Sequence, residues 1–107
     1  MKFIDNVDEK RFLITVKGSK KDVFRLIYLI ESAICKGEKK KDVDSAIDSI
    51  EQSETEEAII DFSSIARLKL VKGGFSFYSA VNNPQFYFST IKKAYLDSKK
   101  VFDEKTQ

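Results

Sequence analysis

VFRLIYLIESAIC, residues 23–35, has ten apolar residues in thirteen. A helix this apolar is buried on most of its sides, so it is expected to form the centre of the fold. At about 100° per residue, Arg25, Glu31 and Ser32 are expected along its one polar edge. Arg25 on such a helix either snorkels to water or pairs with Glu31 or an acid of the next helix, and a structural pair is the preferred reading. Ser19 followed three residues later by Asp22 is a helix start. Gly37 is a stop, and the run EKKK at 38–41 reads as a solvated connection. The buried helix therefore spans 20–36.

Before this helix, RFLITVK at 11–17 is rich in β-branched and aromatic residues and reads as a strand. Lys2 to Asp5 is a candidate second one. After it, Asp42 to Gln52 reads as a helix with Val43, Ala46, Ile47 and Ile50 on one stripe. Residues 55–63 are ambiguous between a short helix and a buried strand, and a strand over 58–62 is preferred. Residues 66–71 alternate, with Ala66, Leu68 and Leu70 on one face and Arg67 and Lys69 on the other. The turn KGG at 72–74 and the segment GFSFYSAV then complete a β-hairpin over 66–81. Asn83-Pro84 supplies an N-cap and a first helical residue for a final helix over 84–102. Its expected buried side chains are Tyr87, Phe88, Ile91, Ala94, Tyr95, Val101 and Phe102. The fold class that results is α+β: an antiparallel sheet packed against a buried helix and a C-terminal helix.

Length and composition agree with one globular domain over 1–107. A chain of 107 residues supports a single core. It is 42% hydrophobic and 34% charged, too apolar for disorder and too often interrupted by charge for a membrane span. Charges in MKFIDNVDEKRF stand where a signal peptide needs an apolar stretch, so a cytoplasmic location is expected, with no membrane partner.

Chemistry is sparse. Histidine, the usual neutral-pH acid–base group and a common zinc ligand, is absent. Cys35 is the only cysteine, so it forms neither an internal disulfide nor a CxxC site. In an apolar helix it reads as a small buried hydrophobe. VKGSKKD lacks the paired glycines and the lysine–hydroxyl end of a phosphate loop. No catalytic residue, metal site or cofactor is expected, and the chain does not read as an enzyme.

The net charge of +2 hides a strong segregation. Residues 1–41 carry a net +5, residues 42–61 carry eight acids and no base, and residues 62–107 again carry +5. On the second helix Asp44, Asp48 and Glu51 stand at i,i+4 and i,i+3, spacings at which like charges destabilise a helix by about 0.2–0.5 kcal/mol per pair. With Glu54 they form a candidate acidic partner-binding face, and reversal of Asp44, Asp48 and Glu51 to lysine should leave the fold intact or slightly more stable. Lys92, Lys93, Lys99 and Lys100 form a candidate basic face on the last helix, with Leu96 between the pairs and Phe86 at the border. The acidic face fits a protein partner basic at its contact surface. The two faces could meet within one chain or across a homodimer.

KGGFSFY at 72–78 is similar to the first ribonucleoprotein motif of RNA-recognition modules, in which exposed strand aromatics stack on bases. The resemblance covers fewer than ten residues. It departs at the extra Gly74, at Tyr78 where an aliphatic is usual, and in the lack of a strand after the last helix. Two functions follow. The preferred one is a small non-enzymatic intracellular protein that binds another protein, as an inhibitor, antitoxin, immunity or phage-type anti-defence protein. The alternative is a nucleic-acid-binding module using the C-terminal lysines and the FSFY strand, which requires Phe75 or Phe77 in water.

Overall fold

The chain forms two layers, a five-stranded antiparallel sheet and three helices laid on one of its faces. The computed structural model describes residues 2–7, 12–63, 66–79 and 85–106. The elements in chain order are β1 (Lys2–Val7), β2 (Phe12–Lys17), α1 (Lys20–Cys35), α2 (Lys40–Glu51), β3 (Glu57–Ser63), β4 (Ala66–Val71), β5 (Gly74–Ser79) and α3 (Gln85–Thr106). The α+β class is as the sequence indicates.

In the sheet the strands lie in the order β1-β2-β5-β4-β3. The two helices after β2 carry the chain across to the far edge. The meander β3-β4-β5 then returns until β5 pairs with β2. Two apolar rows cross the sheet beneath the helices. One runs Phe3, Val16, Phe75, Leu70, Ala58, and the other places Ile14, Phe77, Leu68 and Ile60 side by side. Val16, Phe75, Leu70, Ile14, Phe77, Leu68 and Ile60 are all buried, and each such side chain contributes about 1.5–3 kcal/mol by leaving water.

α1 begins where Ser19 accepts the Asp22 backbone N–H, at 3.3 Å. It ends in a left-handed turn, Lys36 at φ 53° and Gly37 at φ 88°. It buries Val23, Leu26, Ile27, Ile30, Glu31 and Cys35. α2 buries the expected stripe Val43, Ala46, Ile47 and Ile50. α1 occupies the middle of the helix layer. α3 packs beside it and reaches β1, where the Phe102 and Phe3 rings meet edge-on at 6.4 Å. On its other side α2 covers β3 and β4. The radius of gyration, 13.1 Å, equals the roughly 13 Å of a single compact unit of this length.

Several expectations are corrected. EKKK is not a solvated connection throughout, because Lys40 and Lys41 already belong to α2. The Lys39 backbone N–H donates to Glu31 Oε2 at 3.0 Å. Glu31 is therefore buried, not on a polar edge, and it ties α1 to the start of α2. Arg25 does not pair with it. Its guanidinium lies 5.5 Å over the Phe102 ring, a cation–π contact between α1 and α3. α3 extends four residues past 102. Tyr95 and Phe102 are buried as expected, together with Ser98, whose hydroxyl donates to the Ala94 carbonyl at 2.8 Å. The side chains of Phe86, Tyr87, Phe88 and Ile91, the Asn83-Pro84 start and residues 80–81 of the hairpin lie outside the described part. The preferred strand over 58–62 is β3.

Gly74 has a steric reason. A Cβ there would collide with the Val16 carbonyl oxygen, so only glycine lets β5 close on β2 at this point. Gly73, at φ 83°, takes the left-handed corner of the Lys72-Gly73 turn.

Candidate functional site

The acidic candidates sit on α2 and just beyond it, but the structure neutralises much of the segment. Asp44 accepts the Tyr28 hydroxyl from α1 at 2.6 Å. Burial first, and this carboxylate second, push the Tyr28 pKa up to about 12. Glu51 pairs with Lys20, in the first turn of α1, at 2.5 Å. Asp42 lies 4.0 Å from Lys39, Glu57 3.1 Å from Lys69 and Asp61 2.5 Å from Arg67. Five of the eight acids in 42–61 therefore have a partner within the chain. Asp48, Glu54 and Glu56 are exposed and make no ion pair among the described residues. These cations come from both near and far in sequence: Lys39 and Arg67 lie three and six residues from Asp42 and Asp61, whereas Lys69 and Lys20 reach Glu57 and Glu51 from other elements.

The basic candidates are also divided. Lys93 pairs with Asp97 at 2.7 Å, and the Lys99 ammonium sits 4.7 Å over the Phe3 ring. Lys92 is half-buried, Lys100 is exposed, and Leu96, 44% exposed, lies between the pairs. With α1 between the two helices, no ion pair joins α2 to α3 among the described residues.

Cys35 is buried, and its thiol donates to the Phe62 carbonyl at 3.2 Å. Burial, and then Glu31, push its pKa up to about 11, so it is a neutral thiol at pH 7 and a poor nucleophile. Among the described residues no three His, Cys, Asp or Glu side chains gather as a metal site, and no helix is long and apolar enough to cross a membrane. A cavity of about 330 Å³ opens at one end of the sheet, lined by Val23, Phe24, Ile50 and Val71 with the Lys20–Glu51 pair and Lys72. A groove of about 390 Å³ lies between α2 and β3.

The surface missed in the sequence is the other face of the sheet. The helices cover one face only, and across the uncovered one runs the row Ile4, Thr15, Ser76, Lys69, Ile59. The next row places Leu13, Tyr78, Arg67 and Asp61 side by side. Ile4 is 55%, Leu13 47% and Ile59 55% exposed. Thr15 and Ser76 share a hydrogen bond of 3.2 Å at the centre. Arg67 also donates to the Tyr78 hydroxyl at 3.4 Å. A sheet with one solvated face normally alternates apolar and polar residues. The adjacent pairs Leu13-Ile14 and Ile59-Ile60 break that alternation, and they were the available signal.

Phe75 and Phe77 are 1% and 0% exposed, packed beneath the helices. The similarity to the ribonucleoprotein motif therefore does not extend to its stacking platform. No family model matches the chain, and neither the curated proteins nor the solved structures give a match.

Proposed function

We propose that this chain works by binding another protein in the cytoplasm, as a small inhibitor or neutraliser of the antitoxin, immunity or anti-defence kind, and not by catalysis. The observation that carries this reading is the uncovered sheet face with half-exposed Ile4, Leu13 and Ile59. Aliphatic side chains held on a rigid sheet gain free energy when a partner removes them from water. The acidic edge at Asp48 and Glu54 is a secondary contact, because its neighbours Asp44 and Glu51 are already engaged. Burial of Phe75 and Phe77 weighs against a nucleic-acid module, which needs them as a stacking surface.

The test begins with capture from host lysate at low and high salt, followed by reconstitution with the purified partner. Sedimentation should give a stoichiometric complex. Leu13→Lys and Ile59→Lys should each weaken it about tenfold or more, the range of a central interface residue. A complex indifferent to both substitutions, or selective capture of nucleic acid, overturns the reading.

A further inference from the structure

The charges on the open face are not evenly spread. On β3 and β4, Glu57 is held by Lys69 and Asp61 by Arg67, so that half presents little free charge around Ile59. On the opposite half, Ile4 of β1 and Leu13 of β2 stand on adjacent strands, and Leu13 is directly opposite Tyr78 of β5. On one face of a sheet direct opposites interact and diagonal neighbours lie close by, so the three are gathered in one region of the open face. Lys2 and Lys17 are paired across the same two strands. Both are exposed and make no ion pair among the described residues.

We propose that the open face receives an apolar surface of a protein partner that is acid-rimmed where it meets the β1-β2-β5 half, with Ile4, Leu13 and Tyr78 against its apolar part and Lys2 and Lys17 against its carboxylates. This rests on the protein-binding reading and specifies the partner's chemistry. Charge complementarity selects the occupant. A second copy of the chain would bring Lys2 and Lys17, which make no ion pair among the described residues, against a face whose described acids Glu57 and Asp61 are already engaged, and like charges across an interface are strongly disfavoured. A nucleic acid would find Tyr78 as the one described aromatic on this half, beside two aliphatics that offer a base nothing to stack on. Five strands of about six residues give a face of roughly 24 Å by 20 Å, at the small end of specific interfaces, so the contact is expected to be transient and quick to form.

The probe is a helical peptide with a leucine stripe rimmed by glutamates, titrated into isotopically labelled protein and followed by amide chemical shifts. Its counterpart with lysines in place of the glutamates and an oligouridylate are the comparators. Expected are shifts concentrated on β1, β2 and β5, and binding by the glutamate peptide about tenfold tighter than by the lysine peptide. That preference should be lost in the double variant Lys2→Glu, Lys17→Glu and retained in Lys40→Glu, Lys41→Glu. Equal or tighter binding of the lysine peptide or the oligouridylate overturns the proposal. So do shifts confined to the helices, self-association through this face, or no shift at low millimolar peptide. Each of those outcomes leaves the protein-binding reading to its own test, which turns on Leu13 and Ile59 in the reconstituted pair and not on charge.

Discussion

Phe77 and Tyr78 are neighbours on one strand and live in different surroundings. Phe77 sits between Ile14 and Leu68 under the helix layer and is fully buried, in ring contact with Phe62 at 5.7 Å. Tyr78 sits between Leu13 and Arg67 on the uncovered face and is half-buried. The same contrast holds along β2, where Ile14 is buried and Leu13 is 47% exposed. One face of this sheet holds the molecule together, and the other carries apolar side chains that folding leaves in water. Residues on the first are expected to affect stability when changed, and residues on the second to affect binding.

The strongest way to break this contrast is at its covered side. Phe77→Ala removes a large side chain from a site closed on all sides by the sheet and α1. It should cost about 3–5 kcal/mol, the transfer term plus the residual cavity, read as a fall in the urea midpoint at unchanged slope. A loss below about 1 kcal/mol would mean that the helix layer is not packed on this face as described.

The fold could be read from the sequence where pattern and chemistry agreed. The apolar run 23–35 required a covered helix, the Ser19 start cap is present, and the alternation at 66–71 placed Leu68 and Leu70 inward. What could not be read were partners distant in sequence. Lys20 meets Glu51 and Tyr28 meets Asp44 only because α2 folds back along α1, and no local period carries that information. Glu51 reads as uncompensated for this reason. It also follows that reversing Asp44, Asp48 and Glu51 together, which the helix spacing alone would rate as harmless, removes two inter-helix contacts. The open face was missed for a related reason. Whether Leu13 or Ile14 is the exposed member of the pair depends on which side of the sheet the helices cover, and that is decided by tertiary packing.

An intermediate effect sits at the helix–helix seam. Tyr28→Phe removes a hydrogen bond to the Asp44 carboxylate and should cost about 1.5–3 kcal/mol at neutral pH. The tyrosine pKa is raised from 10.0 to about 12 in the folded protein. Its contribution is therefore present in full below pH 10 and is lost as pH rises through 12, because the unfolded chain releases the proton first. Cys35, raised from 9.0 to about 11, acts in the same direction from a lower pH. Wild type and Tyr28→Phe should therefore converge in stability between pH 10 and 12 in urea titrations. A gap that stays constant over that range would show that the hydroxyl contributes through packing and not through its proton.

The smallest effect on stability is expected on the open face, and there the absence of a change is the informative result. Ile59→Lys exchanges a side chain already 55% exposed on the edge strand β3. Its register neighbour is Lys69, which Glu57 holds at 3.1 Å. The new ammonium can remain in water and loses little apolar burial, while edge strands accept lysine readily and are protected by it from pairing with other chains. The expected change is within about 0.5 kcal/mol, the usual range of surface substitutions. A destabilisation of 2 kcal/mol or more would mean that Ile59 is covered in solution, by a second copy or by another part of the chain, and the two faces of the sheet would then not differ as described. A neutral result in the isolated protein, combined with a tenfold loss in the reconstituted complex, would separate the side chains that make the fold from those that make the contact.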